Sequence, residues 1–81
     1  MRTITFIIIL CSAIPPYQDS SAETITRWHI ARGFKTIGYH YVIRRDGNIE
    51  NGRPLEQVGA HCQNHNKHSI GICYEGGLDI E

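Results

Sequence analysis

Apolar residues fall into a few separate runs along this chain, and the period differs from run to run. The first, Ile4-Thr5-Phe6-Ile7-Ile8-Ile9-Leu10, is almost unbroken, dominated by β-branched isoleucine, and followed by a turn signal at Pro15-Pro16. It reads in two ways. It fits a buried first strand. With Met1-Arg2 before it and the small residues Cys11-Ser12-Ala13 after it, it also fits a signal peptide. A transmembrane helix needs about 20 apolar residues, which this run does not have. Further on, Ile25, Trp28, His29 and Arg32 recur at helical spacing. Ser20-Ser21-Ala22-Glu23 fits a capping box with Ser20 as N-cap, and Gly33 is a natural stop. The spacing predicts a helix of about three turns with Ile25 and Trp28 towards the core. Tyr39 to Arg44 reads as a strand, Asp46-Gly47 as a hairpin whose two central residues tolerate positive φ, and Asn48 to Arg53 as the returning strand. Residues 55–68 are polar loop, and Ile70 to Tyr74 is a last strand closed by Gly76-Gly77.

The order is therefore β-α-β-β-loop-β, an α/β fold with a mixed central sheet and flanking helices. A single helix cannot cover both faces of four strands. One face is expected to leave residues of Ile7–Leu10 and Ile70–Ile72 bare, a surface open to self-association or to a missing second half.

Composition narrows the picture. At 81 residues with 41% hydrophobic and 20% charged residues, the chain is neither collagen-like, coiled-coil nor disordered. A chain of this size has a marginal core. Eight basic residues balance eight acidic ones. The first 45 residues hold six basic against two acidic, and the remainder two basic against six acidic. The basic residues are dispersed rather than blocked, so the halves are expected to fold against each other, with no nucleic-acid or membrane partner. Three cysteines, Cys11, Cys62 and Cys73, are an odd and scattered set, which fits a reducing compartment better than a disulfide scaffold.

Two groups of residues suggest chemistry. His61, Cys62, His65 and His68, with Cys73 nearby, are potential zinc ligands, but they lack the paired Cys-x₂-Cys half that makes a zinc motif convincing. Exposed polar loop residues are the simpler reading. Tyr39 and Tyr41 fall on one strand face and His40 on the other. A tyrosine hydroxyl in a cleft can donate to a developing oxyanion, although a packed strand tyrosine is commoner. His29 reads as a core-edge histidine with a local hydrogen bond.

The ordered set of segments carries more than any one of them. Trp28-His29, Arg32-Gly33-Phe34, Ile37-Gly38-Tyr39-His40-Tyr41-Val42-Ile43, Arg45-Asp46-Gly47, Glu50-x-Gly52-Arg53-Pro54, Gly59-Ala60-His61, Asn66-x-x-Ser69-Ile70-Gly71-Ile72 and Gly76-Gly77 together resemble the N-acetylmuramoyl-L-alanine amidase family of bacteriophage lysozyme type, which includes the peptidoglycan recognition proteins. The resemblance runs from about Ile4 to Gly77 and favours the strand reading of the first run. It implies a zinc amidohydrolase that cuts the amide between N-acetylmuramic acid and the L-alanine of the peptidoglycan stem peptide. It implies phage or prophage origin, Tyr39 as a catalytic residue, and His61 and Asn66 as substrate contacts. It also implies a cytoplasmic protein that acts on the cell wall once released, or a secreted one if residues 1–13 are a signal. The departures matter. The family's first strand runs into His-Cys-Ser-Ala, where this chain has Leu10-Cys11-Ser12-Ala13. Leu10 thus stands at the first zinc-ligand position, and the other two ligands of the family follow the segment matched here. The expectation is that residues 1–81 are the N-terminal part of one amidase-like domain, binding no zinc and inactive as written. A non-catalytic peptidoglycan-binding remnant is the alternative. Milder departures are Asn64, where members often carry Gly, and Phe34, where Trp is frequent.

Overall fold

The computed structural model describes residues 2–15 and 17–77. Met1, Pro16 of the Pro15-Pro16 signal, and residues 78–81 lie outside the described residues. Five elements follow in the expected order: β1 (Phe6–Cys11), α1 (Ala22–Ala31), β2 (Tyr41–Ile43), β3 (Ile49–Asn51) and β4 (Ser69–Tyr74). They form one four-stranded mixed sheet in the order β1-β4-β2-β3. The isoleucine-rich run is a strand, but it lies at the sheet edge and is largely exposed rather than buried. It pairs in parallel with β4, Ile7 opposite Ile70 and Leu10 opposite Cys73. β4 continues in parallel to β2, with Val42 opposite Cys73, and β2 pairs antiparallel with β3.

Partners in adjacent strands share a face, so the register sorts the side chains. Leu10, Cys73 and Val42 lie in one row on the side of α1, where Ile25, Ile37, Val42 and Cys73 form the buried core with Ala22 and Tyr39 packed against it. The other face carries Ile7, Ile9, Ile70, Ile72, Tyr41, Ile43 and Ile49, and no described element covers it. Ile7 is 58%, Ile9 69% and Ile49 66% exposed. The bare face expected from one helix on four strands is present.

Two details of α1 correct the sequence reading. The N-cap is Ser21, not Ser20: the Ser21 hydroxyl accepts the Thr24 N–H at 3.1 Å. Ser20 is instead fully buried. Its N–H donates to the Glu75 carboxylate, and its hydroxyl bonds that of Ser12 at 2.7 Å. The first free N–H of the helix, from Ala22, is satisfied from outside by Glu50 at 2.8 Å, so the partner of the helix start lies on β3 rather than at Glu23. The buried face is also rotated. Ile25 and His29 are buried, whereas Trp28 is 44% exposed. Gly33 does end the helix, with φ 98°.

The hairpin differs in type. Arg44 and Asn48 close it, with the Arg44 N–H donating to the Asn48 carbonyl at 2.8 Å. Of its loop residues only Gly47 is left-handed, at φ 90°. The result is a three-residue loop, in which Asp46 accepts the Asn48 N–H at 2.9 Å, rather than a two-residue mirror turn. Glu75, at the end of β4, joins these pieces: it accepts from Arg44 Nε at 3.0 Å, from the Arg45 N–H at 3.1 Å and from the Ser20 N–H. Burial pushes its carboxyl up, but these donors outweigh it and hold it at about 2.

Candidate functional site

The site lies on the α1 side of the sheet. Loop 59–66 covers the part of that face that α1 leaves open. It does so by setting the His61 ring directly on Gly71 of β4. A Cβ at Gly71 would lie 2.3 Å from His61 Cδ2, and one at Gly59 would lie 2.5 Å from the same atom. Both positions require the bare backbone. Asn66 holds the loop in shape, its Oδ1 accepting the N–H groups of His61 at 3.0 Å and Cys62 at 2.9 Å. Asn64 takes the left-handed conformation at φ 73°, which asparagine tolerates.

Tyr39 stands between the helix and this loop. Its ring is 5.4 Å from that of His29 and stacks at 6.5 Å on that of His61. His61 meets the buried His40 edge-on at 5.7 Å. The three sequence-derived site residues are thus brought to one side of the sheet, but in different roles. Tyr39 lines a cavity of about 130 Å³ with Ser12, Ile25, Trp28, His29 and Arg32. His61 and Asn66 line a larger one of about 360 Å³ with Arg32, Phe34, Ala60, Cys62 and Gln63. Ser12, Trp28 and Arg32 were not singled out as site residues from the sequence. The available signals were the Trp28-His29 and Arg32-Gly33-Phe34 segments of the family pattern and the one-turn spacing of Trp28 and Arg32.

Apart from the Arg32 cation, the tyrosine and histidines of the groove are partly desolvated and uncharged. Burial, with smaller contributions from Cys73, raises the Tyr39 hydroxyl to about 12. Burial likewise raises the Cys73 thiol to about 11. His61 is pushed down to about 4 by burial and by repulsion from His40, Arg2 and Arg53, and both its ring nitrogens are buried without a hydrogen-bond partner among the described residues. His29 is lowered by burial and by Arg32. Its Nδ1 accepts the Gly38 N–H at 2.8 Å, the local bond expected for it. His40 is also lowered, chiefly by burial. Its Nδ1 accepts the Gly71 N–H at 3.0 Å, which leaves Nε2–H to donate to the Gln57 carbonyl at 2.8 Å. A protonated tyrosine and neutral imidazoles at pH 7 can donate to or accept from a polar ligand without adding charge.

A catalytic zinc does not fit the residues present. Leu10, at the end of β1 opposite Cys73, offers no lone pair. Among the described residues no group of three or more His, Cys, Asp or Glu side chains converges as a metal site. The loop residues His61, Cys62, His65 and His68 are therefore not assembled into one. All three cysteines are free thiols.

A family model described as N-acetylmuramoyl-L-alanine amidase matches residues 1–80. The chain belongs to the N-acetylmuramoyl-L-alanine amidase family. Within the wider comparison, the endolysin of Escherichia phage T7 is 42% identical over 73 residues, which cover 90% of this chain and 48% of that protein. The solved N-acetylmuramoyl-L-alanine amidase LysC from Clostridium intestinale superposes with a TM-score of 0.84 at 33% identity, covering 93% of this chain and 48% of that one. Peptidoglycan recognition protein LE, solved in complex with tracheal cytotoxin, a monomeric diaminopimelic acid-type peptidoglycan, gives a TM-score of 0.78 at 29% identity over 94% of this chain and 48% of that one. The chain spans about half the length of the curated relatives it matches. Among the described residues no helix is long and apolar enough to cross a membrane.

Proposed function

We propose that residues 1–81 are the N-terminal part of one amidase domain, that its groove binds the muropeptide of bacterial peptidoglycan, and that the chain as given does not hydrolyse the N-acetylmuramoyl-L-alanine bond. The observation that carries the second half of this reading is Leu10. In a family whose chemistry uses zinc to polarise the amide carbonyl and activate water, a leucine at the end of β1 offers no lone pair in place of the first ligand, and a catalytic zinc is normally held by three protein ligands together. The first half is supported by the Tyr39–His61 groove and by the peptidoglycan fragment bound in the related recognition protein LE. In this reading Tyr39 donates a hydrogen bond to a developing oxyanion, and His61 and Asn66 contact the substrate.

The test is release of L-alanyl peptide from purified peptidoglycan, with zinc content read in parallel. We expect none from the chain as given and none from Leu10→His alone. Activity is expected when Leu10→His is joined to a second half carrying the remaining His and the Cys or Asp. In that protein Tyr39→Phe lowers turnover without unfolding it. Chelator-sensitive hydrolysis by the unaltered chain refutes the inactive reading. Muropeptide binding without hydrolysis supports the non-catalytic form of it.

Two further parts of the reading concern location and assembly. Residues 4–10 are proposed to be retained in the mature protein, in the cytoplasm until release to the wall. Their support is the full register of β1 against β4. The bare sheet face is proposed to pair with a second copy when the chain is alone in solution, where no other polypeptide is available to cover it. Strands about 4.8 Å apart, six residues long in β1 and β4 and three in β2 and β3, present a face roughly 15 Å wide and 10–20 Å long. Two such faces bury on the order of 500 Å², so the pairing is expected to be weak and concentration-dependent.

A further inference from the structure

The two edges of the sheet, β1 and β3, are built differently. β3 is three residues long with Glu50 at its middle, a short charged edge of the kind that resists further pairing. β1 is six residues, Phe6-Ile7-Ile8-Ile9-Leu10-Cys11, with no charge, proline or glycine. It has none of the devices that keep an open edge single. The hydrogen bonds to β4 show which of its backbone groups are open. The Phe6 N–H donates to the His68 carbonyl at 3.4 Å, and the Ser12 N–H to the Tyr74 carbonyl at 3.1 Å. Bonding in a parallel pair alternates along the strand, so Phe6, Ile8, Leu10 and Ser12 address β4. Ile7, Ile9 and Cys11 turn their N–H and C=O groups the other way, and among the described residues no strand pairs with that side.

We infer that the outer edge of β1 is an interaction surface for a second copy of this chain: two β1 strands pair antiparallel about a two-fold axis at Ile9, joining two sheets into one. The occupant is argued from the strand itself. Its outward groups recur at every second residue and match their own reverse. With Ile9 opposite Ile9, Ile7 falls opposite Cys11 of the partner subunit, and each outward N–H meets an outward carbonyl, about six bonds in all. No like charges meet across the seam, because β1 carries none. The edges left over are the short β3 strands, so the pairing closes as a dimer rather than extending as a fibre. This contact is separate from the stacking of bare faces, and shares with it only the reading that residues 4–10 are retained.

The experiment uses the full chain, after intact mass has shown that residues 4–10 are present. Stacking is first weakened by Ile49→Lys, on the bare face of β3 at the far edge from β1. Sedimentation velocity of that variant is expected to show a species of twice the 9.2 kDa chain mass. Adding Ile9→Pro, which deletes an outward N–H and no bond to β4, is expected to convert it to monomer. Pairing is read directly with Ile7→Cys, oxidised by copper phenanthroline. Hydrogen-bonded partners lie about 5.5 Å apart at Cα, within disulfide reach. The expected product is a covalent dimer in which position 7 is joined to Cys11 of the partner subunit, and it is lost when Cys11→Ser is added. This measurement decides the matter where Ile9→Pro unfolds the chain. An Ile49→Lys variant that is monomeric at every concentration overturns the inference and leaves face stacking standing. A folded Ile9→Pro chain that still dimerises in the Ile49→Lys background overturns it, as does an Ile7→Cys chain that links position 7 to Cys62, to Cys73 or to nothing. A monomeric unaltered chain overturns both contacts.

Discussion

Replacing Glu75 by Gln keeps the side-chain volume and removes one charge from the junction of β4, the hairpin and the entry to α1. Glu75 is 6% exposed and accepts from three donors. In the glutamine variant one oxygen becomes an NH₂ group facing an N–H, and Arg44 loses its most buried partner. The downward shift of the carboxyl to about 2, from an unfolded value of 4.5, corresponds to about 3 kcal/mol of differential stabilisation. Glu75 sits near the surface of a small protein, where solvent screens such pairs, so we expect about 2 kcal/mol to be lost. At the average unfolding entropy per residue, 81 residues give a fall in Tm of roughly 12 °C at pH 7. The sign of the pH dependence follows. A carboxyl depressed in the folded state stabilises above its unfolded value and loses that contribution as pH falls towards its folded one. Between pH 4.5 and pH 2 the unaltered chain should therefore lose the advantage, and its melting curve should converge on that of Glu75→Gln. Thermal unfolding followed by circular dichroism over this range is the assay. Equal Tm values at pH 7, or a gap that persists unchanged at pH 2, would refute the reasoning.

Three shorter predictions follow from the same structure. Gly71→Ala places a Cβ in the His61 ring, so it should displace the loop, cost about 1–3 kcal/mol, and weaken muropeptide binding in the same titration; unchanged binding and stability would show that the ring is free to move. Ile9→Lys, at a side chain 69% exposed on the bare face, should change stability by no more than about 0.5 kcal/mol while shifting the chain towards monomer in sedimentation velocity, and an unchanged sedimentation coefficient would rule out that face as the contact. Intact mass of a C-terminally tagged product should include residues 4–10; a mature N-terminus after Ala13 would contradict the strand reading in the cell.

Much of the fold was legible because local signals and sheet geometry agree. The Ile-rich run, the aromatic strand before Asp46-Gly47 and the glycines at 33, 76 and 77 each mark their element by residue type, and their order gives a mixed sheet. What was not legible depended on contacts far apart in sequence. Ser20 and Ser21 are equivalent cap candidates until Glu75, 55 residues away, takes the N–H of Ser20. Trp28 has the larger apolar surface, yet His29 is the buried one, because Gly38 offers its Nδ1 an N–H. In the site, Tyr39, His61 and Asn66 came from a family resemblance and fall together. Arg32 belongs to the Arg32-Gly33-Phe34 segment of the family pattern, but only the three-dimensional structure places it in the linings of both cavities.

The pairing of β1 with β4 has a consequence for synthesis. These strands are the first and last of the described elements, and Ile7 meets Ile70, 63 positions further along the chain. A partner that distant is slow to find, since the loop must close before any contact rewards it. At ribosomal rates of 5–20 residues per second, roughly 3–13 seconds separate the appearance of the isoleucine run from that of its partner strand. During that interval the most β-prone and least charged segment of the protein is unpaired on both edges. Its yield in a cell should accordingly depend on chaperone supply and translation speed more than on the stability of the finished sheet.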